Sequence, residues 1–251
     1  MILLVAACAP AESERGFSLI TSPPIAVSSA TTTTAQPSVP AVTTTTTTPT
    51  VPAYAVRVAQ ASAEVDVYAA PNSPVLTRTV PATTILGSPT VLPIVAGPID
   101  GWIKVELPGR PNESTGWVEA TQFTYAEVQQ RIEVDLAAST LTFFVEDEPM
   151  LTTQVAVGSP DNPTPPGRFF VTDIVKLTDP SGPWGPYALG LSARSDTITE
   201  FNGGDGIIGI HGTNRPDRIG EPVSLGCVRV PNEVMEELAH QVQLGIPVVI
   251  K

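Results

Sequence analysis

The chain has little of what a metal site or a disulfide framework requires. Its 251 residues include two cysteines, Cys8 and Cys227, and two histidines, His211 and His240. The cysteines lie near opposite ends of the chain in very different surroundings, so we expect no disulfide between them. One usable cysteine and two histidines, one of them on a predicted separate helix, do not supply the four ligands of a tetrahedral zinc site. We therefore predict neither a metal nor a cofactor.

Positive charge and long apolar runs are also scarce. Lys and Arg number 13 against 25 Asp and Glu, and the formal net charge is −12. A chain this acidic is a poor partner for nucleic acid or for anionic membrane surfaces. No segment has about 18 uninterrupted apolar residues, so the sequence predicts no transmembrane helix.

The N-terminal fifth of the chain lacks the large side chains of a folded unit. Threonine runs occupy 31–34 and 43–48 among Pro, Ser, Ala and Val, and no charged residue occurs between Arg15 and Arg57. Such a segment cannot offset the entropy cost of ordering. We predict a disordered tether over residues 9–53.

Residues 1–8, MILLVAAC, are similar to the end of a bacterial lipoprotein signal, in which Cys8 would be the lipidated residue. A complete signal also has a basic region and an apolar region of roughly 7–15 residues before the cleavage site. This segment has no basic residue and about half of that apolar length. We expect the natural start to lie upstream.

Residues 54–125 read as short strands separated by turns. Alternation of apolar and polar residues occurs at 65–68 and 76–80, and again in GWIKVEL at 101–107 and TGWV at 115–118. Short β-branched and aromatic runs at this spacing are typical of a small all-β unit. The paired GW strands resemble the bacterial SH3-like domain, so we expect an SH3-like barrel here.

The strongest chemical signal lies near the C-terminus, where 210–213 read IHGT and 224–229 read SLGCVR. A cysteine attacks an acyl carbon as a thiolate, so Cys227 needs a base or an electropositive neighbour. His211 can supply that base and later return the proton to a leaving group. The adjacent glycines allow close approach of the backbone to a substrate. We interpret the pair as a cysteine nucleophile site.

These motifs resemble the catalytic signature of the L,D-transpeptidases of the YkuD type. NPTPPGRF at 162–169 and GIPVVI at 245–250 resemble two further segments of that family, and the resemblance covers residues 129–251. One position departs from the pattern: Leu225 stands where the family has a second histidine. The resemblance implies a mainly β fold, with the SH3-like barrel followed by a β-sandwich catalytic domain that carries one C-terminal helix. We expect that helix between Asn232, as its N-cap, and Gly245.

The resemblance also implies a reaction. Cys227 attacks the bond before D-alanine in a peptidoglycan stem tetrapeptide, and His211 protonates the departing D-alanine. The carbonyl of Gly212 holds the histidine tautomer. Transfer to the amine of a second stem gives a 3→3 cross-link, whereas transfer to water makes the protein an L,D-carboxypeptidase. A third possibility is a noncatalytic cell-wall-binding lipoprotein, which only Leu225 favours.

Five further residues are candidates for substrate binding. Arg229 either binds a substrate carboxylate or forms a structural ion pair, and Ser224 contacts either the loop or the substrate. The backbone N–H groups of Gly226 and Cys227 are candidate oxyanion donors, while Trp184 and Tyr187 lie where the family has a lid. The resemblance implies a monomer outside the cytoplasm that acts on peptidoglycan stem peptides. It would be held at the outer face of the cytoplasmic membrane by a lipid on Cys8, or secreted.

Overall fold

A computed structural model of the chain describes residues 17–19, 55–201 and 204–251. The signal predicted over residues 1–8, with Cys8, lies outside the described residues. So does the predicted tether over 9–53, apart from Phe17–Leu19. The backbone of those three residues forms a strand.

The described residues form 18 strands, one α-helix and two 3₁₀ turns. The strands are β1 (Phe17–Leu19), β2 (Val56–Ala61), β3 (Val65–Tyr68), β4 (Leu76–Val80), β5 (Val91–Ile99), β6 (Trp102–Glu106), β7 (Thr115–Glu119), β8 (Phe123–Val128), β9 (Gln130–Asp135), β10 (Thr140–Val145), β11 (Glu148–Gln154), β12 (Val157–Gly158), β13 (Gly167–Leu177), β14 (Tyr187–Arg194), β15 (Ile207–His211), β16 (Pro222–Ser224), β17 (Val228–Arg229) and β18 (Pro247–Ile250). The helix α1 spans Asn232–Gln241, and the 3₁₀ turns span Ala120–Gln122 and Pro216–Arg218. The prediction of a mainly β protein with a helix near the C-terminus is confirmed.

The first sheet has seven antiparallel strands in the order β4-β3-β7-β6-β5-β2-β8. Period-two alternation explains its burial: Val65 and Val67 are fully buried, whereas Asp66 between them is exposed. Trp102 is also buried, and its indole N–H donates a hydrogen bond to Asn72 Oδ1 at 3.2 Å. This sheet contributes most of one apolar cluster.

The second sheet has nine strands and mixed pairing. Its main path runs β11-β10-β9-β18-β13-β14-β15-β17, and β1 pairs with β13. The pairs β18–β9 and β15–β17 are parallel, and β12 and β16 form a separate parallel pair. The helix α1 packs against β14, burying Met235, Leu238 and Ala239. This sheet and α1 contribute most of a second apolar cluster, which includes residues of the strands that carry the C-terminal motifs.

The helix differs from the expected one at both ends. Pro231 is the N-cap residue and Asn232 the first helical residue, because the Asn232 side chain accepts a hydrogen bond from Thr213 N–H at 2.7 Å instead of capping the helix. The helix ends at Gln241, four residues before Gly245, where Val242 takes an extended conformation.

The two sheets share apolar packing. Phe170 of β13 is 1% exposed and belongs to the cluster inside the first sheet. In the opposite sense, Val58 and Val91 of the first sheet belong to the cluster of the second. Because each core includes side chains from the other, neither sheet has a complete core by itself.

Replacement of Phe170 by Ala is therefore expected to destabilise both sheets. The loss should be about 3–5 kcal/mol of unfolding free energy, the usual cost of removing a buried phenyl ring. Urea denaturation gives the total loss, and hydrogen exchange of peptides from β2 to β8 shows whether the first sheet shares it. Phe143→Ala is the matched control, since Phe143 is equally buried but belongs to the second cluster alone. Unchanged exchange in β2 to β8 for Phe170→Ala would contradict shared packing.

Candidate active site

The parallel pairing of β15 with β17 places the candidate catalytic residues together. Ile210 pairs with Val228, and His211 pairs with Arg229. Paired residues on neighbouring strands project to the same face of a sheet, and the period of two puts Cys227 on the face of Arg229. The histidine, the cysteine and the arginine therefore reach one side of the sheet from two short strands.

That side opens into a cavity of about 240 Å³. The cavity is lined by Pro183, Trp184, Ser195, Ile198, Phe201, Gly206, Ile207, Ile208, His211, Ser224, Leu225, Cys227 and Arg229. Most of these side chains are apolar, and the chemically active groups lie at its floor. Five of the predicted site residues, including both reactive ones, are thus brought to a single cavity.

His211 is buried, and its tautomer is fixed by the backbone. Its Nδ1–H donates to the carbonyl oxygen of Gly212 at 2.6 Å, which leaves Nε2 as a free proton acceptor. Burial, and to a smaller extent the positive charge of Arg229, lowers the pKa of His211 to about 4, against the opposing effect of the Gly212 hydrogen bond. The imidazole is consequently neutral at pH 7. Its ring lies against Trp184, with 4.4 Å between ring centroids.

Cys227 is a partly buried free thiol on the loop between β16 and β17. Its Sγ lies 4.0 Å from the carbonyl oxygen of Ile207. Burial raises the pKa of the Cys227 thiol, while a backbone hydrogen bond from Gly209 and the charge of Arg229 act in the opposite direction. Because the pKa of the Cys227 thiol is raised and that of His211 is lowered, both residues are neutral at pH 7.

Arg229 lines the cavity without a structural ion pair among the described residues. Its Nε is buried and has no hydrogen-bond partner there. Arg229 is the cationic side chain among the residues that line the cavity. An anionic group in the cavity would be attracted to its guanidinium.

Hydrogen bonds inside the cysteine loop use two of the predicted substrate-binding groups. Ser224 Oγ donates to the carbonyl oxygen of Cys227 and accepts from the N–H of Gly226 at 3.1 Å. Gly226 has φ +113°, and a Cβ there would lie 2.9 Å from Ile208 Cδ1. The Gly226 N–H is therefore engaged within the loop, which is at odds with its prediction as an oxyanion donor.

Thr164 supports the same loop from the Pro-rich segment. Its hydroxyl donates to the carbonyl oxygen of Gly226 at 2.8 Å and accepts from the N–H of Gly158 at 2.8 Å. The side chain is 2% exposed. Sequence reasoning did not select this residue, although a lone hydroxyl within NPTPPGRF was a usable signal.

Asn232 holds the histidine turn in a comparable way. Its Oδ1 accepts the N–H of Thr213, and a Cβ on Gly212 would come within 2.4 Å of that oxygen. A Cβ on Gly185 would approach the same atom to 2.4 Å. Glycine is therefore required at both positions, because the segment before β14 and the turn after β15 lie too close to Asn232 to leave room for a side chain.

A family model for the YkuD L,D-transpeptidase catalytic domain matches residues 129–250. The candidate L,D-transpeptidase YkuD of Bacillus subtilis (strain 168) is 34% identical over 146 residues, which is 58% of this chain and 73% of that protein. The YkuD protein of Bacillus licheniformis is 37% identical over 123 residues, 49% of this chain and 66% of that one. The chain belongs to the YkuD-type L,D-transpeptidase family.

Solved structures of L,D-transpeptidases are more distant. A variant of the Enterococcus faecium enzyme is 26% identical with a TM-score of 0.37, and the match covers 49% of this chain and 50% of that one. An L,D-transpeptidase from Mycobacterium tuberculosis H37Rv is 16% identical with a TM-score of 0.42, covering 64% of this chain and 90% of that one. The chain spans about half the length of the Enterococcus protein.

Tyr187 and Leu225 differ in where they lie relative to the cavity. Tyr187 does not line the cavity, contrary to the prediction; it is buried in β14, with its ring 5.5 Å from that of His240. Leu225 is 51% exposed at the cavity mouth.

Within residues 55–201 and 204–251, no group of three His, Cys, Asp or Glu side chains could hold a metal ion, and no helix is long and apolar enough to cross a membrane.

Replacing Thr164 by Val should destabilise the cysteine loop. Valine keeps the shape of the side chain but leaves the Gly158 N–H and the Gly226 carbonyl without partners, at a cost of about 1–3 kcal/mol. Chemical denaturation measures the loss. Thr164→Ser keeps the hydroxyl and should stay close to wild type; equal losses in both variants would show that the methyl group matters instead.

The buried neutral state of His211 predicts acid sensitivity. The unfolded chain binds a proton at the ordinary pKa near 6.5, whereas the folded chain binds it only near 4, so stability should fall as the pH drops through this window. The expected loss is about 3 kcal/mol. Denaturant titrations at several pH values should show this loss in wild type and not in His211→Gln. The control His240→Gln should keep the wild-type profile, and a His211→Gln variant with that same profile would refute the assignment.

Proposed function

We propose that the protein is an L,D-transpeptidase that cross-links peptidoglycan stem peptides through a Cys227 acyl-enzyme. The observation that carries this proposal is that His211 and Cys227 line one cavity, with the histidine tautomer set by Gly212. Family membership supports the substrate class. The finer roles below are part of the proposal.

In the acylation step, His211 Nε2 accepts the thiol proton while Sγ attacks the carbonyl carbon that precedes D-alanine. The C–N bond of the tetrahedral intermediate breaks, and the imidazolium returns the proton to the departing amine of D-alanine. A neutral imidazole is the form that can accept this proton. Because both groups are buried, transfer of the thiol proton to the imidazole is unfavourable without substrate. Bound substrate would exclude water and supply contacts that stabilise the thiolate and the imidazolium.

In the second step, an amine of another stem peptide attacks the thioester, and His211 takes the proton of that amine. The C–S bond then breaks, the imidazolium returns its proton to the departing sulfur and so regenerates the thiol, and a 3→3 amide cross-link remains. Water in place of the amine would give the carboxypeptidase product. The same base serves both half-reactions, which is consistent with one histidine in the cavity.

Two contacts would orient the substrate. Arg229 lines the cavity and would bind a carboxylate of the stem peptide through its guanidinium, and its charge favours the thiolate that forms during attack. The backbone N–H of Cys227 takes the oxyanion role, because that of Gly226 is bound to Ser224. Preorganised donors of this kind contribute about 10²–10³ in rate.

The remaining assignments concern organisation and place. We propose that residues 54–125 form the SH3-like barrel and 129–251 the catalytic domain, and that the barrel accompanies the enzyme at the cell wall. Peptidoglycan as substrate requires an extracytoplasmic location. Lipidation at Cys8, a tether over residues 9–53 and a monomeric state complete this proposal.

The proposal predicts products that mass spectrometry can identify. Full-length protein incubated with a disaccharide-tetrapeptide should release D-alanine and form a cross-linked dimer. Cys227→Ala should form neither, because no acyl-enzyme can form. Cys227→Ser is the second control: it should fold like wild type and lose most of the rate.

Each outcome decides between the candidate activities. A tripeptide without any dimer would make the protein a carboxypeptidase. Absence of turnover in folded wild-type protein would refute the enzymatic proposal and leave a noncatalytic wall-binding protein.

A further inference from the structure

A turn of the first sheet reaches across to the cavity of the second. The turn between β6 and β7, residues 107–114, makes backbone and side-chain contacts with the end of β14. Gly109 N–H donates to the carbonyl oxygen of Ser192 at 3.1 Å. Asn112 exchanges two hydrogen bonds with the backbone of Arg194, donating to its carbonyl at 2.9 Å and accepting its N–H at 2.8 Å. The turn is therefore anchored where β14 leads into the cavity wall.

Arg110, at the centre of this turn, binds the segment that forms one side of the cavity. Its Nε donates to Asp205 Oδ1 at 3.1 Å. Its Nη2 donates to the carbonyl oxygens of Ser195 at 2.7 Å and Ile198 at 3.4 Å. One guanidinium thus joins both ends of the chain segment between β14 and β15.

The described parts of that segment, residues 195–201 and 204–206, are here called the wall segment. Its base is closed by a hydrogen bond from Ser195 N–H to the carbonyl oxygen of Gly206 at 2.9 Å. Asp205 also accepts from Arg194 Nε at 3.0 Å, so two arginines hold one carboxylate. Ser195, Ile198, Phe201 and Gly206 of the wall segment all line the cavity.

The wall segment is linked to His211, the candidate base, through two tilted aromatic ring contacts. Phe201 lies 6.3 Å from Trp184, and Trp184 lies 4.4 Å from His211, measured between ring centroids. Aromatic contacts at these separations add stability beyond apolar burial. Movement of the wall segment would change both the width of the cavity and the packing around His211.

We propose that Arg110 is a positioning residue, through which the N-terminal unit shapes the substrate cavity of the C-terminal unit. A half-exposed ion pair contributes little by itself. The rigid fork of an arginine, however, binds a carboxylate and two carbonyl oxygens at once, and it stays charged at all physiological pH values. The catalytic unit consequently needs the N-terminal unit to complete its cavity. The substrate readout below rests on the proposed function, whereas the structural readouts do not.

The test compares Arg110→Ala with Arg57→Ala in the full chain. Arg57 lies on β2, exposed, with its guanidinium 5.9 Å from the ring of Tyr125. For Arg110→Ala we expect amide exchange in residues 195–201 to rise by roughly tenfold, the loss expected for charge-assisted hydrogen bonds. Alkylation of Cys227 by iodoacetamide should also accelerate. KM for the tetrapeptide should rise by roughly tenfold, with a smaller change in kcat. Arg57→Ala should change none of these.

Further variants guard against a trivial loss of folding. Arg110→Lys retains the charge but not the fork, so it should give an intermediate exchange rate. Asp205→Asn should loosen the wall segment while leaving the contacts of Asn112 in place, and the double variant with Arg110→Ala should show less than additive effects.

Wild-type exchange and alkylation in folded Arg110→Ala would overturn the positioning role, whatever the turnover. Loosening in Arg110→Ala together with inactive wild-type protein would instead uphold the positioning role and refute the proposed function.

Discussion

The parallel pairing of two short strands, β15 and β17, is the constraint on which the site depends. It places His211 opposite Arg229 and brings Cys227 to the same face, although His211 ends a strand and Cys227 lies on a separate loop. The pair has only two bridged residues on each strand, so it cannot hold itself in register. Its support comes from both flanks: β14 continues the sheet beside β15, and Ala156 exchanges two backbone hydrogen bonds with Arg229 beside β17.

Electrostatics at this site oppose the reactive ions rather than stabilise them. Burial raises the pKa of Cys227 and lowers that of His211, so neither the thiolate nor the imidazolium is favoured in the empty cavity. Arg229 favours the thiolate and disfavours the imidazolium, which helps one ion at the expense of the other. An arrangement of this kind protects the thiol from oxidation at rest, since the thiolate is the oxidisable form. It also makes the proposed reaction depend on substrate to supply the missing interactions.

The sequence was sufficient for the parts of the site that local motifs encode. His211, Gly212 and Cys227 stand in short segments whose chemistry follows from residue type, and alternation in the strands predicts a mainly β chain. Tyr187, predicted to lie at a lid, is buried in β14 outside the cavity lining. The face that a strand residue takes depends on pairing with distant strands, since a one-residue change of register reverses the face of every side chain. Thr164 and Arg110 act across 62 and more than 80 positions of the chain. The hydroxyl of Thr164 stands out in its Pro-rich segment, but no local pattern identifies the distant partner of either residue. The start of α1 was predicted one residue too late for a related reason. The Asn232 side chain accepts a hydrogen bond from a distant turn, at Thr213, instead of capping its own helix.

Leu225 can now be weighed against its surroundings. Gly226 adopts a backbone conformation that side-chain-bearing residues rarely take, and the loop turns there so that residue 225 faces the cavity mouth while Cys227 faces its floor. A histidine at position 225 would be half exposed and would not replace His211, whose tautomer is fixed by Gly212. The proposed proton transfers need only one base, and the structure already holds that base in the required form. The leucine therefore leaves the proposed chemistry intact and changes the rim that incoming substrate meets first, adding an apolar group to a cavity already lined by Trp184 and Phe201.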